Sequence, residues 1–192
     1  MNIAFDIPWK RYALITELAR RLDKVSPQFG KTALQKLVFL LQEVYEIDCG
    51  YDFELYSYGP FDSQLLNDLD IVECWGYVSV DRVNDTLGGY KICPTDTSES
   101  IREKATTFLD EASTQEAIND LVSTYGNMKA RDLELRATTV YVANNLRIKK
   151  GYAPKEKICG LVGQIKPKFS AQEIEAAFEE LRKKSHIQMA AA

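Results

Sequence analysis

KTALQKLVFLLQEVYEIDCGYDFELYSYGPFDSQLLNDLDIVECWG, residues 31–76, is the stretch on which the fold of this 192-residue chain turns. Leu34, Leu37, Val38, Leu41, Val44 and Tyr45 recur at helical spacing between Lys31 or Thr32 and about Ile47, and Phe39 and Leu40 widen the stripe. A helix apolar on most of its sides belongs at the centre of a fold. Tyr51-Asp52-Phe53-Glu54-Leu55 then alternates apolar and polar, the period of a short strand. Tyr58-Gly59-Pro60-Phe61 reads as a turn, with Pro60 suited to open a helix over Phe61 to Cys74. Leu65, Leu66, Leu69 and Val72 are the apolar positions of that helix, and Gly76 stops it.

Upstream, Pro8 opens a helix predicted over Trp9 to Lys24, with Tyr12, Ile15, Leu18, Ala19 and Leu22 on one face and Ser26-Pro27 breaking it. Downstream, Tyr77-Val78-Ser79-Val80 and Tyr90-Lys91-Ile92 read as two strands joined by Asn84, Asp85, Gly88 and Gly89. Three helices and then a β-hairpin is the order of a winged helix. From Thr95 the pattern is helical, over 98–112, 115–125 and 130–145, with a loop at Gly151-Tyr152-Ala153-Pro154. Ser170 and Glu173 form a capping box before a last helix whose inner face is Ile174, Ala177, Phe178 and Leu181. The expected fold is mainly α with a small antiparallel sheet. A winged-helix-like N-terminal half, 1–94, is followed by a helical C-terminal half, 95–192, packed on it as one unit.

The chain offers little to catalysis. Its one histidine, His186, lies near the C-terminus and reads as a surface residue, so no Ser-His or Cys-His system is expected. Cys49, Cys74, Cys93 and Cys159 have no C-x-x-C spacing, which argues against zinc and for small buried hydrophobes. No phosphate loop is present, and Gly88-Gly89 is explained by a hairpin turn. Asp68 and Asp70, like Asp132 and Glu134, are two positions apart on helices and point to different faces. Asp52 and Glu54 share a strand face that reads as solvated. A non-enzymatic protein without a cofactor or metal is expected. No secretory signal or membrane-length apolar run is visible, so a cytoplasmic location is expected.

The formal charge of −4 is a cancellation. Residues 1–146 sum to −9, residues 147–168 to +6 and the remainder to −1. From Leu37 to Asp81 there are ten acids and no lysine or arginine, so the helix that a winged helix would place in the major groove is repelled by phosphate. Tyr51, Phe53, Tyr56, Tyr58 and Phe61 sit in that acidic stretch, which favours core packing or protein contact over base stacking. The cations Arg147, Lys149, Lys150, Lys155, Lys157, Lys166 and Lys168 have two readings. They form a solvated, lysine-rich connection, or they meet an acidic partner or a nucleic-acid backbone.

Leu34-Gln35-Lys36-Leu37-Val38-Phe39, followed by Tyr58-Gly59-Pro60-Phe61, resembles the signature of the Panacea domain. The longer run Gly50-Tyr51-Asp52-Phe53 to Tyr56-Ser57-Tyr58-Gly59-Pro60-Phe61 is similar to the YwgA-like bacterial proteins, as is Lys166-Pro167-Lys168-Phe169-Ser170. The resemblance implies a mostly helical fold with a small sheet and a non-enzymatic role. Panacea domains are associated with antitoxins and proteolytic adaptors. The chain departs from the Panacea pattern at Phe61, where that family favours a smaller aliphatic residue. The implied partner is a protein encoded nearby, a toxin or defence effector, contacted through Gln35, Lys36, Tyr58, Gly59, Pro60 and Phe61. Those residues also have a structural reading, in which Gly59 and Pro60 make the turn, Tyr58 and Phe61 staple it, and Lys36 bonds a nearby carbonyl. The alternative function is a nucleic-acid-binding regulator that uses the basic segment 147–168.

Overall fold

Pro8 precedes the first helix, α1 (Trp9–Leu22), and the face carrying Tyr12, Ile15, Leu18, Ala19 and Leu22 is buried as the spacing requires. This is seen in a computed structural model that describes residues 7–83, 88–150 and 154–187, without the side chains of Lys149 and Lys150. The central helix is α2 (Lys31–Glu43), buried from Ala33 to Leu41. It ends one turn before the predicted Ile47. Glu46 takes a left-handed φ of 58°, and the Ile47 amide turns back to the Leu41 carbonyl at 3.3 Å.

The segment after it corrects the sequence reading. Glu54–Tyr56 forms β1 and Gly59–Phe61 forms β2, an antiparallel pair that sets Leu55 opposite Pro60 and Tyr56 opposite Gly59. Tyr58-Gly59-Pro60-Phe61 is therefore half tip and half strand, and Pro60 does not open a helix. A two-stranded pair leaves a free edge, where the amide that proline lacks is not needed. The helix begins instead at α3 (Ser63–Cys74), where the Asp62 carboxylate caps the Gln64 amide at 2.7 Å. Gly76 closes it at φ 77°.

The second hairpin pairs β3 (Val78–Arg82) with β4 (Tyr90–Pro94). Asn84 and Asp85 of its predicted turn lie outside the described residues, as do Gly151, Tyr152 and Ala153 of the later predicted loop. The helical region predicted over 98–112 is broken into α4 (Ser98–Arg102), a 3-10 turn (Glu103–Ala105) and α5 (Thr106–Leu109). Three longer helices follow: α6 (Ala112–Tyr125), α7 (Ala130–Lys150) and α8 (Lys155–Ile165). The last of these is the main omission of the sequence reading, which gives 147–168 as a lysine-rich connection or a charged contact surface and places no helix there. Ile158 and Val162 are in fact buried along it. Finally, α9 (Ala171–Lys183) starts from the predicted capping box, with Ile174, Ala177, Phe178 and Leu181 buried.

The fold is thus mainly helical with two small antiparallel sheets of two strands each. Buried apolar side chains from both halves make one cluster, with α7 packed on α2, β2, α8 and α9. Among the described residues no helix is long and apolar enough to cross a membrane. Two smaller expectations change. His186 is half-buried between the Tyr45 and Tyr125 rings, with Nδ1 2.5 Å from the Tyr125 hydroxyl, because Ile187 beyond it is anchored in the core. Of the cysteines, all unpaired, only Cys49 is buried, and Cys74 is exposed.

Candidate interaction surface

Two lysines of the apolar interior explain how the β1–β2 hairpin is held. Lys36 is 1% exposed, and its Nζ donates to the Pro60 carbonyl at 2.7 Å. One residue earlier, Gln35 brackets the other end of β2, donating to the Asp62 carbonyl at 2.7 Å and accepting its amide at 3.0 Å. From the opposite side, Lys166 at the end of α8 donates to the Ser57 carbonyl. The hairpin backbone is therefore clamped by two buried ammonium groups and an amide from sequence-distant helices.

Buried ammonium needs a carboxylate, and α7 supplies Glu134. Lys166 Nζ lies 2.8 Å from Glu134 Oε1, with both side chains 3% exposed, while Lys168 Nζ lies 2.8 Å from Oε2. Burial pushes the Lys36 ammonium down to about 8; Glu134 opposes that shift and Lys166 adds to it. Gly59 completes the clamp. Its φ of +90° suits glycine, and a Cβ there would meet Thr138 Oγ1 at 3.0 Å and Lys36 Cε at 3.4 Å.

Of the residues singled out from the sequence, Gln35, Lys36, Gly59 and Pro60 are thus inside, bonded to or packed against the chain itself. None of the four is exposed on the surface. Phe61 is half-buried, its ring 5.2 Å from that of Tyr56. What the clamp presents outward is Tyr56, 57% exposed, and Tyr58, 66% exposed with Lys168 Nζ 5.6 Å over its ring. Sequence reasoning missed Glu134 as the hub, although Lys36 inside the apolar stripe of α2 signalled a missing carboxylate.

The basic segment is divided among several environments. Lys166 is buried, Lys168 is paired with Glu134, and Lys155 lies 3.1 Å from Glu179. Arg147 and Lys157 are exposed, and the Lys149 and Lys150 side chains lie outside the described residues. Between α7, α8 and β1 runs an apolar concavity of about 290 Å³, lined by Leu55, Tyr141, Val142, Leu146, Leu161 and Ile165, with Asn145 at its side. No three His, Cys, Asp or Glu side chains converge as a metal site among the described residues. Compared with known family models and with curated proteins, the chain matches none.

Proposed function

We propose that the chain is a cytoplasmic, non-enzymatic protein-interaction module of antitoxin or defence-accessory type. The observation that supports it most is the exposed pair Tyr56 and Tyr58 on a hairpin whose backbone is clamped from inside. Tyrosine is a favoured interface anchor because it brings large area at small entropic cost, and a clamped hairpin has little left to lose on binding. The resemblance of Leu34–Phe61 to the Panacea signature agrees with this role, with its motif residues building the platform and the tyrosines touching the partner. Coexpressed with the proteins encoded beside it, the chain copurifies stoichiometrically with one of them. The double variant Tyr56→Ala/Tyr58→Ala folds normally and loses that partner. Copurification that survives both substitutions removes the hairpin from the interface.

A nucleic-acid role through 147–168 is the alternative. It predicts duplex binding that weakens steeply with salt. Internal pairing of Lys155, Lys166 and Lys168 leaves that reading fewer cations than the sequence suggested.

A further inference from the structure

The concavity between α7 and α8 is a second candidate surface, and the chemistry of its surroundings restricts what can lie on it. Its lining is mainly aliphatic, from Leu55, Val142, Leu146, Leu161 and Ile165, with the single ring of Tyr141 among them. Ile148, 78% exposed, stands seven residues after Tyr141 and three after Asn145, so helical spacing extends the apolar wall along α7. On α8, Lys157 lies one turn before Leu161 and is exposed; three residues past Ile165, Lys168 stands beside Tyr58. Lys166 and Lys168 share the single carboxylate of Glu134, so this end keeps a net positive charge, and the exposed Lys157 adds a cation at the other.

We propose that this groove receives an amphipathic helix of a partner protein, apolar along one stripe and acidic where it passes the Lys157 and Lys168 ends. The inference rests on the interaction reading above and names the partner's chemistry. Walls made by two helices accept a third by ridges-into-grooves packing, and the volume suits anchoring side chains. The cationic rim selects the charge of those flanks. A second copy of this chain in two-fold contact would set the same cationic rim against itself. Nucleic acid, which needs successive stacking rings along a cationic groove, would find one ring, Tyr141, among aliphatic side chains.

The test is a phage-displayed library of helix-forming peptides with one face randomised, panned on the full chain alone, with every winner then measured on Ile148→Glu and Leu161→Glu. Ile148 is exposed, so its variant keeps the fold even if Leu161→Glu does not. The expected winners carry apolar residues at i, i+3 or i+4 and i+7 flanked by Asp or Glu. As labelled peptides they lose about tenfold or more in affinity on Ile148→Glu, and they weaken on Lys157→Glu and at high salt. Winners without acids, indifferent to Lys157→Glu and salt, overturn the acidic partner while leaving a protein-binding groove. Winners that bind Ile148→Glu and Leu161→Glu as well as the parent chain overturn the groove and leave the tyrosine hairpin standing. Sedimentation showing a dimer that Ile148→Glu dissociates assigns the groove to a second copy and also overturns the proposal.

Discussion

Glu134 stands between two ammonium groups that come from the same short segment, Lys166 and Lys168, and within the electrostatic reach of a third, Lys36. Breaking a buried pair by removing one partner leaves an uncompensated charge in the interior. Glu134→Gln is therefore expected to lower stability in urea unfolding by about 3 kcal/mol. Glu134→Leu with Lys166→Met should recover most of that, because a matched apolar pair avoids the desolvation of both charges. An unchanged midpoint for Glu134→Gln would show that the pairs with Lys166 and Lys168 contribute nothing to stability. Lys36 makes a separate, pH-dependent prediction. In the folded chain it releases its proton near 8, against the ordinary 10.5. Between those values the unfolded chain holds more protons, so this lysine contributes stability that grows as pH rises through the window. Lys36→Met deletes that gain. The stability gap between the parent and this variant should shift in the parent's favour by up to about 2 kcal/mol between pH 8 and 9.5, as read in paired urea titrations. A gap independent of pH would show that Lys36 titrates as an ordinary lysine.

Elements differ in how locally they are specified. The helix α9 begins where one side chain and one amide answer each other: Ser170 Oγ accepts from the Glu173 amide and Glu173 Oε2 accepts from the Ser170 amide. That box was readable from Ser170 and Glu173 alone, because both partners lie within one turn. Ser170→Ala should cost about 1 kcal/mol, measured as a lowered thermal midpoint, with no effect on partner binding. The β1–β2 hairpin shows the opposite case. Leu55 opposite Pro60 and Tyr56 opposite Gly59 follow from the clamp by Lys36 and Lys166, which sequence spacing does not display. The helix α8 was legible in principle, since Ile158, Leu161, Val162 and Ile165 fall at helical spacing, but its lysines read as a solvated connection or a charged contact surface. Their partners, Glu134 and Glu179, arrive from α7 and α9.

At the scale of the whole molecule, both tryptophans, Trp9 and Trp75, lie in the first half and form one aromatic cluster with Tyr12 and Tyr77. The longest helix, α7, lies in the second half and packs on α2 and β2 of the first. One buried cluster spanning both halves predicts one cooperative transition. Tryptophan fluorescence and far-ultraviolet circular dichroism should therefore trace the same urea curve, although they report mainly on different halves. Curves with separate midpoints would show that the halves unfold independently.

The amino-acid sequence by itself determined what depends on neighbours within a few positions: the apolar stripes of α1, α2, α3 and α9, the capping box of α9, the β3–β4 hairpin and the sign of charge along the chain. Only the tertiary structure decided the roles of Gln35, Lys36, Lys166 and Glu134, and with them which aromatics face outward. A lysine carries the same formula in water as in a core. Whether its charge meets solvent, a carbonyl or a carboxylate more than thirty residues away is fixed by packing, and packing is what made a motif with two readings, contact or support, the support beneath Tyr56 and Tyr58.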